Sequence, residues 1–562
     1  VGVEAMEIAK WIRSLTENYF RSSIQGWSDS RRSRRLMGHT QHLTITPQDD
    51  LYFNPDNPSE SAQNIECHLT FEIENDEEAG VFYELLSVTE EKRNLKLSFR
   101  FYFDKKNRFR WDIWGGDNEG QSVTSEVLEL FYYVYLGALR DALSDLRPSR
   151  GNRTGEMLVN LTPDKVKQSG LAGKVQSLLR EDEEWQTLIG KAKKNINEHL
   201  DHITLVTEPV QVDLSFLPYE FKRIAENLRI HIPLVKDPPT PDDQVHRELN
   251  QVGLGFNNLI FMSTVMGDLA TRNDIYPDEY RALFIEEPEA HIQPQLQNIL
   301  YEYIESLALN YQVFVTSHSP TITSKADLSS LTVLSIDNAT VRQFNPMVSG
   351  INQIHQKYLE RFLDVTKSQL LFAKGVILVE GISEALLLHV FAKVMGLHEG
   401  DVNKYSLIKH GVEIVNVGGL SFDAFAKLFN EDDELRRLSS RCGIITDTDK
   451  ADGTLSARAI TAQALEGGNL KTFLSNYTFE YEFFNLGNNS IMYKSIYKIL
   501  HPQTEIDNAD TFLEKLKSNK DKAPFAQILA HHLQTEIDEG KLPDLKISDS
   551  FKKAIKWVTR ID

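Results

Sequence analysis

Gly375-Val-Ile-Leu-Val-Glu380-Gly-Ile-Ser-Glu384, answered downstream by Cys442-Gly-Ile-Ile-Thr-Asp447-Thr-Asp449, decides how this chain folds. Each stretch is an apolar run that stops abruptly in carboxylates. A continuous apolar run of this length is what a parallel strand buried on both faces looks like. Sheets built from such strands place their chemistry at the carboxyl edge. Glu380 is expected at a strand end, followed by a glycine turn, with Glu384 in the first turn of the next helix, so that both face one cation. Asp447 and Asp449, spaced by two, are expected on one side of their strand. Val412-Glu-Ile-Val-Asn416-Val-Gly418-Gly419 supplies a further strand and glycine turn between them. Acids converging at one sheet edge repel one another unless a divalent ion intervenes. Oxygen ligands favour magnesium, with manganese as a substitute.

Upstream, Leu283-Phe-Ile-Glu286-Glu287-Pro-Glu289 has the same form. Successive strand residues point opposite ways, so Glu286 and Glu287 can serve one site only if the chain turns between them. About thirty residues on, after a helix expected over Pro294–Leu309, Tyr311-Gln-Val-Phe-Val-Thr-Ser317-His318-Ser319-Pro320 is a second apolar strand ending in hydroxyls and a histidine. Gln251-Val-Gly253-Leu-Gly255 opens a helix, and glycines there allow phosphate to approach the backbone; a plain helix cap is the competing reading. No G-x-x-x-x-G-K-[ST] loop occurs in the 562 residues. Either that loop precedes Val1, where the chain opens as a helix already under way over Glu4–Leu15, or it has been lost.

The rest of the chain organises around these two centres. Alternating segments at His42–Ile45, Ile65–Ile73, Leu95–Phe103 and Arg108–Trp114 predict an antiparallel β-region, with Asn54–Ser59 as a loop. Helical periodicity is read from Leu128 through Tyr135–Ala142, and again over most of Pro163–Arg229. The second stretch is either an inserted arm or an ordinary peripheral helix pair. Strands and helices then alternate to residue 480, with a joint at Gln356–Ala373, and the end from Ser490 is helical. The expectation is an α/β multidomain chain: 1–365 as an ATPase-type part with a helical insertion at 163–232, and 366–562 as a parallel-sheet domain with a helical extension.

Composition is that of an ordinary soluble globular protein, 41% hydrophobic and 25% charged. No apolar stretch is long enough to cross a bilayer. Cys67 and Cys442 make neither a disulfide framework nor a zinc site, which fits a reducing, cytoplasmic setting. The net charge of −20 counts slightly against a nucleic-acid partner, although a local basic groove and not overall charge governs phosphate binding. Arg31–Arg35 is a short basic run, read as a solvated loop or a phosphate contact.

Glu286-Glu-Pro-Glu-Ala-His291 and Thr316-Ser-His-Ser-Pro320 resemble the ABC-type ATPase heads of the SMC and RecF-like group. That resemblance implies Glu286 as the magnesium residue of a bound ATP, Glu287 as the base, His318 as the γ-phosphate sensor, and Gly253 and Gly255 at the signature position. Glu380 with Asp447 and Asp449 resembles a Toprim domain, and the whole resembles the OLD (overcoming lysogenisation defect) family of ATP-dependent endonucleases. The family's later motifs are matched by Val415–Phe422, Thr478-Phe-Glu480 and Lys522-Ala-Pro-Phe-Ala526. The match is good over about 240–530 and rests on order alone before that. The resemblance implies metal binding by Glu380, Glu384, Asp447, Asp449 and Glu480, and charge stabilisation by Lys522, whose bland alternative is a solvated lysine. Asp452 is read equally as a further ligand or a loop residue. It further implies two-metal cleavage of DNA, ATP regulation, a homodimer or higher homo-oligomer, no membrane, and an anti-phage role with a companion protein or nucleic-acid trigger. Two other readings stand: a non-catalytic assembly and sensing scaffold, and a topoisomerase- or primase-type Toprim enzyme.

Overall fold

A computed structural model describes residues 51, 61–73, 76–88, 93–138, 146–149, 151–203, 210–234, 245–275, 279–308, 311–337, 340–363, 366–419, 421–450, 452 and 454–561. The helix expected at Glu4–Leu15, the basic run Arg31–Arg35, the strand at His42–Ile45 and the loop Asn54–Ser59 lie outside them. The described chain divides into two compact units between Thr316 and Ser317.

The unit ending at Thr316 opens with an antiparallel sheet. Arg93–Phe103 pairs with Asn64–Glu72, with Leu86–Val88 and with Phe109–Gly115. Its alternate residues Leu95, Leu97, Phe99 and Phe101 are buried, with Ser98 between them also covered, close to the pattern of a half-buried strand. A second sheet is parallel, in the order Phe131–Leu136, Tyr280–Glu286, Gln312–Thr316. The helix reading across Phe131–Leu136 is therefore wrong: Ser125–Glu129 is helical, Phe131-Tyr-Tyr-Val-Tyr-Leu136 is a strand, and the end of that reading, 139–142, lies outside the described residues. Aromatic and β-branched side chains suit a pleated surface better than a helix face, and strand pairing beside Tyr280–Glu286 decided the outcome. The central strand buries Ala282, Leu283, Phe284 and Ile285. Leu254–Ile275 and Pro294–Leu307 pack on it through Phe261, Met262, Val265, Leu300 and Ile304. The charged middle section is helical as expected, over Lys165–Glu181 and Glu183–Ile203, and the second of these helices buries no residue.

The unit from Ser317 contains an antiparallel hairpin, Val333–Asp337 with Thr340–Phe344, that the periodicity did not reveal. Its main sheet is wholly parallel, in the order Val412–Asn416, Gly375–Val379, Arg441–Asp447, Leu470–Ser475. Every residue of Gly375–Val379 is buried, and the strand period of two sends them to opposite cores. Ile377 and Val379 meet Phe391, Phe483 and Phe551 on one face, while Val376 and Leu378 meet Leu359, Phe425 and Phe429 on the other. Helices Ile382–His398, Lys522–Asp538 and Asp549–Thr559 cover the first face. Gly375 is a close-approach position, because a Cβ there would lie 2.6 Å from the Val558 carbonyl. Four helices from Asn489 to Thr559 make up the expected helical end.

Candidate active site

Strand register fixes the position of Glu380. Val379 stands beside Asn416 on one neighbour and Ile445 on the other. One residue further, Glu380 meets Thr446, whose hydroxyl donates to Glu380 Oε1. The Glu380 carbonyl accepts from the Gly419 N–H at 2.8 Å. Gly418 and Gly419 both sit at positive φ, +68° and +74°, which permits the tight turn after Val412–Asn416. Glu384 lies in the first turn of Ile382–His398. The bare Gly381 makes room for it, since a Cβ at 381 would press to 3.0 Å from Glu384 Oε2. Asp447 ends its strand and its Oδ1 accepts from the Phe479 N–H at 3.0 Å. That N–H opens the short helix Phe479–Phe484, capped by Thr478, and so fixes Glu480 in its first turn.

Glu480 is only 2% exposed, and the Lys522 ammonium lies 2.7 Å from its Oε1. The contact is charge to charge: neither carboxylate oxygen receives a well-aligned hydrogen bond. Burial works against the Lys522 charge, but the charges of Glu480, Asp447 and Glu384 outweigh it and hold the ammonium above its ordinary range. Burial pushes the Glu384 carboxyl up to about 7, with Glu480 and Glu380 adding to the rise and Lys522 opposing it. Asp447 is raised well above the carboxylate range, first by burial and then by Glu480, Glu384 and Glu380. Glu380, Glu384, Asp447 and Glu480 therefore share one electrostatic environment at the carboxyl edge of the sheet. Lys522, 40% exposed, is the cation set against that charge.

Asp449 departs from expectation. The strand stops at Asp447, and Asp449 lies beyond it with φ +59°. Its N–H donates to the Tyr477 carbonyl at 2.8 Å, and its Oδ2 accepts from the Ser456 hydroxyl at 3.4 Å. The spacing-of-two argument fails because the turn into the Thr448 loop ends the strand period before Asp449. Asp452 accepts from the Thr454 N–H and hydroxyl at 3.0 and 2.6 Å, a loop role.

Sequence reasoning missed three residues around the centre. Thr446 was hidden inside an apolar strand. Arg458, 2.9 Å from Glu380 Oε2, stands on the following helix with no motif to mark it. Tyr493 is fully buried, its hydroxyl has no hydrogen-bond partner, and burial with the Glu480 charge pushes its pKa well up.

At the other acidic pair, Tyr135 donates to Glu286 Oε2 at 2.6 Å and the Ala138 N–H donates to the same oxygen at 3.2 Å. Glu287 takes φ +42° while its N–H donates to the Thr316 carbonyl at 2.8 Å. The turn that two adjacent carboxylates required is thus present. Gly255 serves packing, since a Cβ there would lie 2.3 Å from the His291 carbonyl, whereas around Gly253 the space is open. His318 follows the strand Gln312–Thr316 by two residues and belongs to the other compact unit.

Among the described residues, no three His, Cys, Asp or Glu side chains are already gathered closely enough to grip one ion. Two of the four central carboxylates are engaged by cationic side chains, Glu380 by Arg458 and Glu480 by Lys522. The chemistry nonetheless fits a hard divalent cation. The donors are all carboxylate oxygens, the buried Glu480 oxygens lack aligned donors, and mutual repulsion raises Glu384 and Asp447. No helix among the described residues is long and apolar enough to span a membrane.

Comparison with known proteins finds two domain matches along the chain. An AAA ATPase domain matches residues 145–323, and an overcoming lysogenization defect protein-like Toprim domain matches residues 371–449. The chain is 26% identical over 200 residues to endonuclease GajA of Bacillus cereus (strain HuB5-5), covering 30% of this chain and 27% of that protein. It is 23% identical over 240 residues to the Old nuclease of Escherichia phage P2, covering 42% and 39% respectively. The matches thus span well under half the length of these relatives. The solved C-terminal region of the Xanthomonas campestris pv. campestris OLD protein is 21% identical, covers 34% of this chain and 95% of that one, and has a TM-score of 0.26, too loose a likeness to support a fold assignment. The chain carries an AAA ATPase domain followed by the Toprim domain of overcoming-lysogenization-defect-like proteins.

Proposed function

We propose that this chain is a metal-dependent DNA endonuclease or nickase whose ATPase part, 1–365, regulates a nuclease part, 366–562. The observation that carries the reading is the convergence of Glu380, Glu384, Asp447 and Glu480 at one sheet edge, with Lys522 against them. Those four acids would hold Mg²⁺ or Mn²⁺, with Asp449 joining from the adjoining loop. When bound, the ions supply a nucleophilic water and stabilise the leaving oxygen of a phosphodiester. Lys522, held charged by the neighbouring acids, would neutralise negative charge developing on the phosphate. Thr446 and the Gly418–Gly419 turn fix the Glu380 carboxylate and backbone. Glu286 would hold the magnesium of ATP, Glu287 would activate water and His318 would sense the γ-phosphate. The exposed helices around 163–232 would join copies into a homodimer or larger homo-oligomer, with a companion protein or nucleic acid as trigger in an anti-phage, cytoplasmic role.

Incubating supercoiled plasmid with the protein and Mg²⁺ or Mn²⁺ tests this. Conversion to nicked or linear DNA by the wild type, and not by Glu380→Ala, is expected. Equal cleavage by both removes the assigned centre.

A further inference from the structure

Arg458 is the one cationic side chain in contact with Glu380 among the described residues, 2.9 Å from Oε2. Its position is set twice. Ser456, two residues earlier, caps the helix Ala457–Gln463 by accepting from the Ala459 N–H at 3.1 Å, and its hydroxyl donates to Asp449. The segment 456–458 therefore reaches two acids of the proposed centre, Asp449 through a hydroxyl and Glu380 through a guanidinium.

Each Glu380 oxygen already has a partner, and the one on Oε2 carries a positive charge that opposes a second cation there. Thr446 takes Oε1 and Arg458 takes Oε2. A divalent ion that uses Glu380 as a ligand needs at least one of these oxygens. Thr446 is buried inside its strand and has nowhere to go. Arg458 is different: its side chain is 41% exposed and it lines an open cavity with Gly419, Asp423 and Thr461. The guanidinium can leave Glu380 without disturbing the sheet, and the Asp423 carboxylate in the same cavity offers it an alternative counter-charge.

We infer that Arg458 is a surrogate cation that holds Glu380 in the metal-free protein and competes with the divalent ion for it, so that its removal lowers the metal concentration at which the site fills. The inference rests on the metal-site reading above and adds to it a built-in threshold for metal. The competition is modest, because a partly exposed ion pair contributes little and is screened by salt.

Titration of Mn²⁺ against the folded protein, followed by the loss of free-ion EPR signal, reads binding independently of cleavage. Arg458→Gln and Arg458→Ala are expected to bind Mn²⁺ roughly threefold tighter than wild type at low salt. Arg458→Lys, which keeps a charge, should stay close to wild type. In a Glu380→Gln background the Arg458→Gln change should have no effect on Mn²⁺ affinity. Unchanged or weaker binding by both Arg458→Gln and Arg458→Ala, with Glu380→Gln itself impaired, overturns the competition and leaves the metal site standing. Equal affinity of Glu380→Gln and wild type overturns both.

Discussion

Lys522 Nζ stands 2.7 Å from Glu480 Oε1, an ammonium from the start of one helix set against a buried carboxylate from the start of another. Removing Lys522 leaves the Glu480 carboxylate in a place where water hardly reaches it. Lys522→Ala is expected to cost about 1–3 kcal/mol of stability by stranding Glu480. It should also lower cleavage about 10²–10³-fold through the lost charge at the phosphate. A Lys522→Met/Glu480→Gln double variant should recover the stability in thermal denaturation without recovering cleavage. Recovery of both would make Lys522 a purely structural residue.

Metal-free stability should depend on pH through Glu384. Its carboxyl is raised from 4.5 to about 7 by burial and by the neighbouring acids. The stabilisation is fully present below the unfolded value near 4.5 and is lost as pH rises through about 7. Chelator-treated protein should therefore lose on the order of 3 kcal/mol from this group between pH 4.5 and 8. Asp447, raised in the same direction, adds to the loss. Denaturant titrations across that range should show a shallower slope for Glu384→Gln. A parallel slope assigns the pH dependence to other groups.

Gly255→Ala separates packing from nucleotide approach. A methyl group there would meet the His291 carbonyl at 2.3 Å, and backbone cannot give way as a side-chain tip can. A loss of about 1–3 kcal/mol is expected from overpacking, with a lowered melting temperature. Unchanged melting would mean that the helix Leu254–Ile275 shifts freely, and packing would not explain the glycine.

Much of the second unit was legible because a parallel strand buried on both faces leaves no choice of pattern. Gly375–Val379 is apolar throughout, as is the stretch 442–445 within Arg441–Asp447, and each leads into its carboxylate. Thr478 and Glu480 were singled out by the family resemblance alone; the cap by which Thr478 opens the helix carrying the acid emerged only in the structure. Phe131–Leu136 was misread because its aromatic residues also satisfy a helical stripe, and only pairing with Tyr280–Glu286 tells the two apart. Asp449 was misplaced because strand periodicity says nothing of where a strand ends. Arg458 and Tyr135 were invisible because their contacts, with Glu380 and Glu286, join residues 78 and 151 positions apart.

The centre itself is tested most directly by locating manganese. A crystal soaked in Mn²⁺ and measured at the manganese absorption edge should show anomalous peaks within about 2.0–2.2 Å of carboxylate oxygens of Glu380 and Asp447, the distance expected for a small divalent ion. Full occupancy of the soak with no peak between those two residues, and Arg458 still on Glu380, would contradict the account.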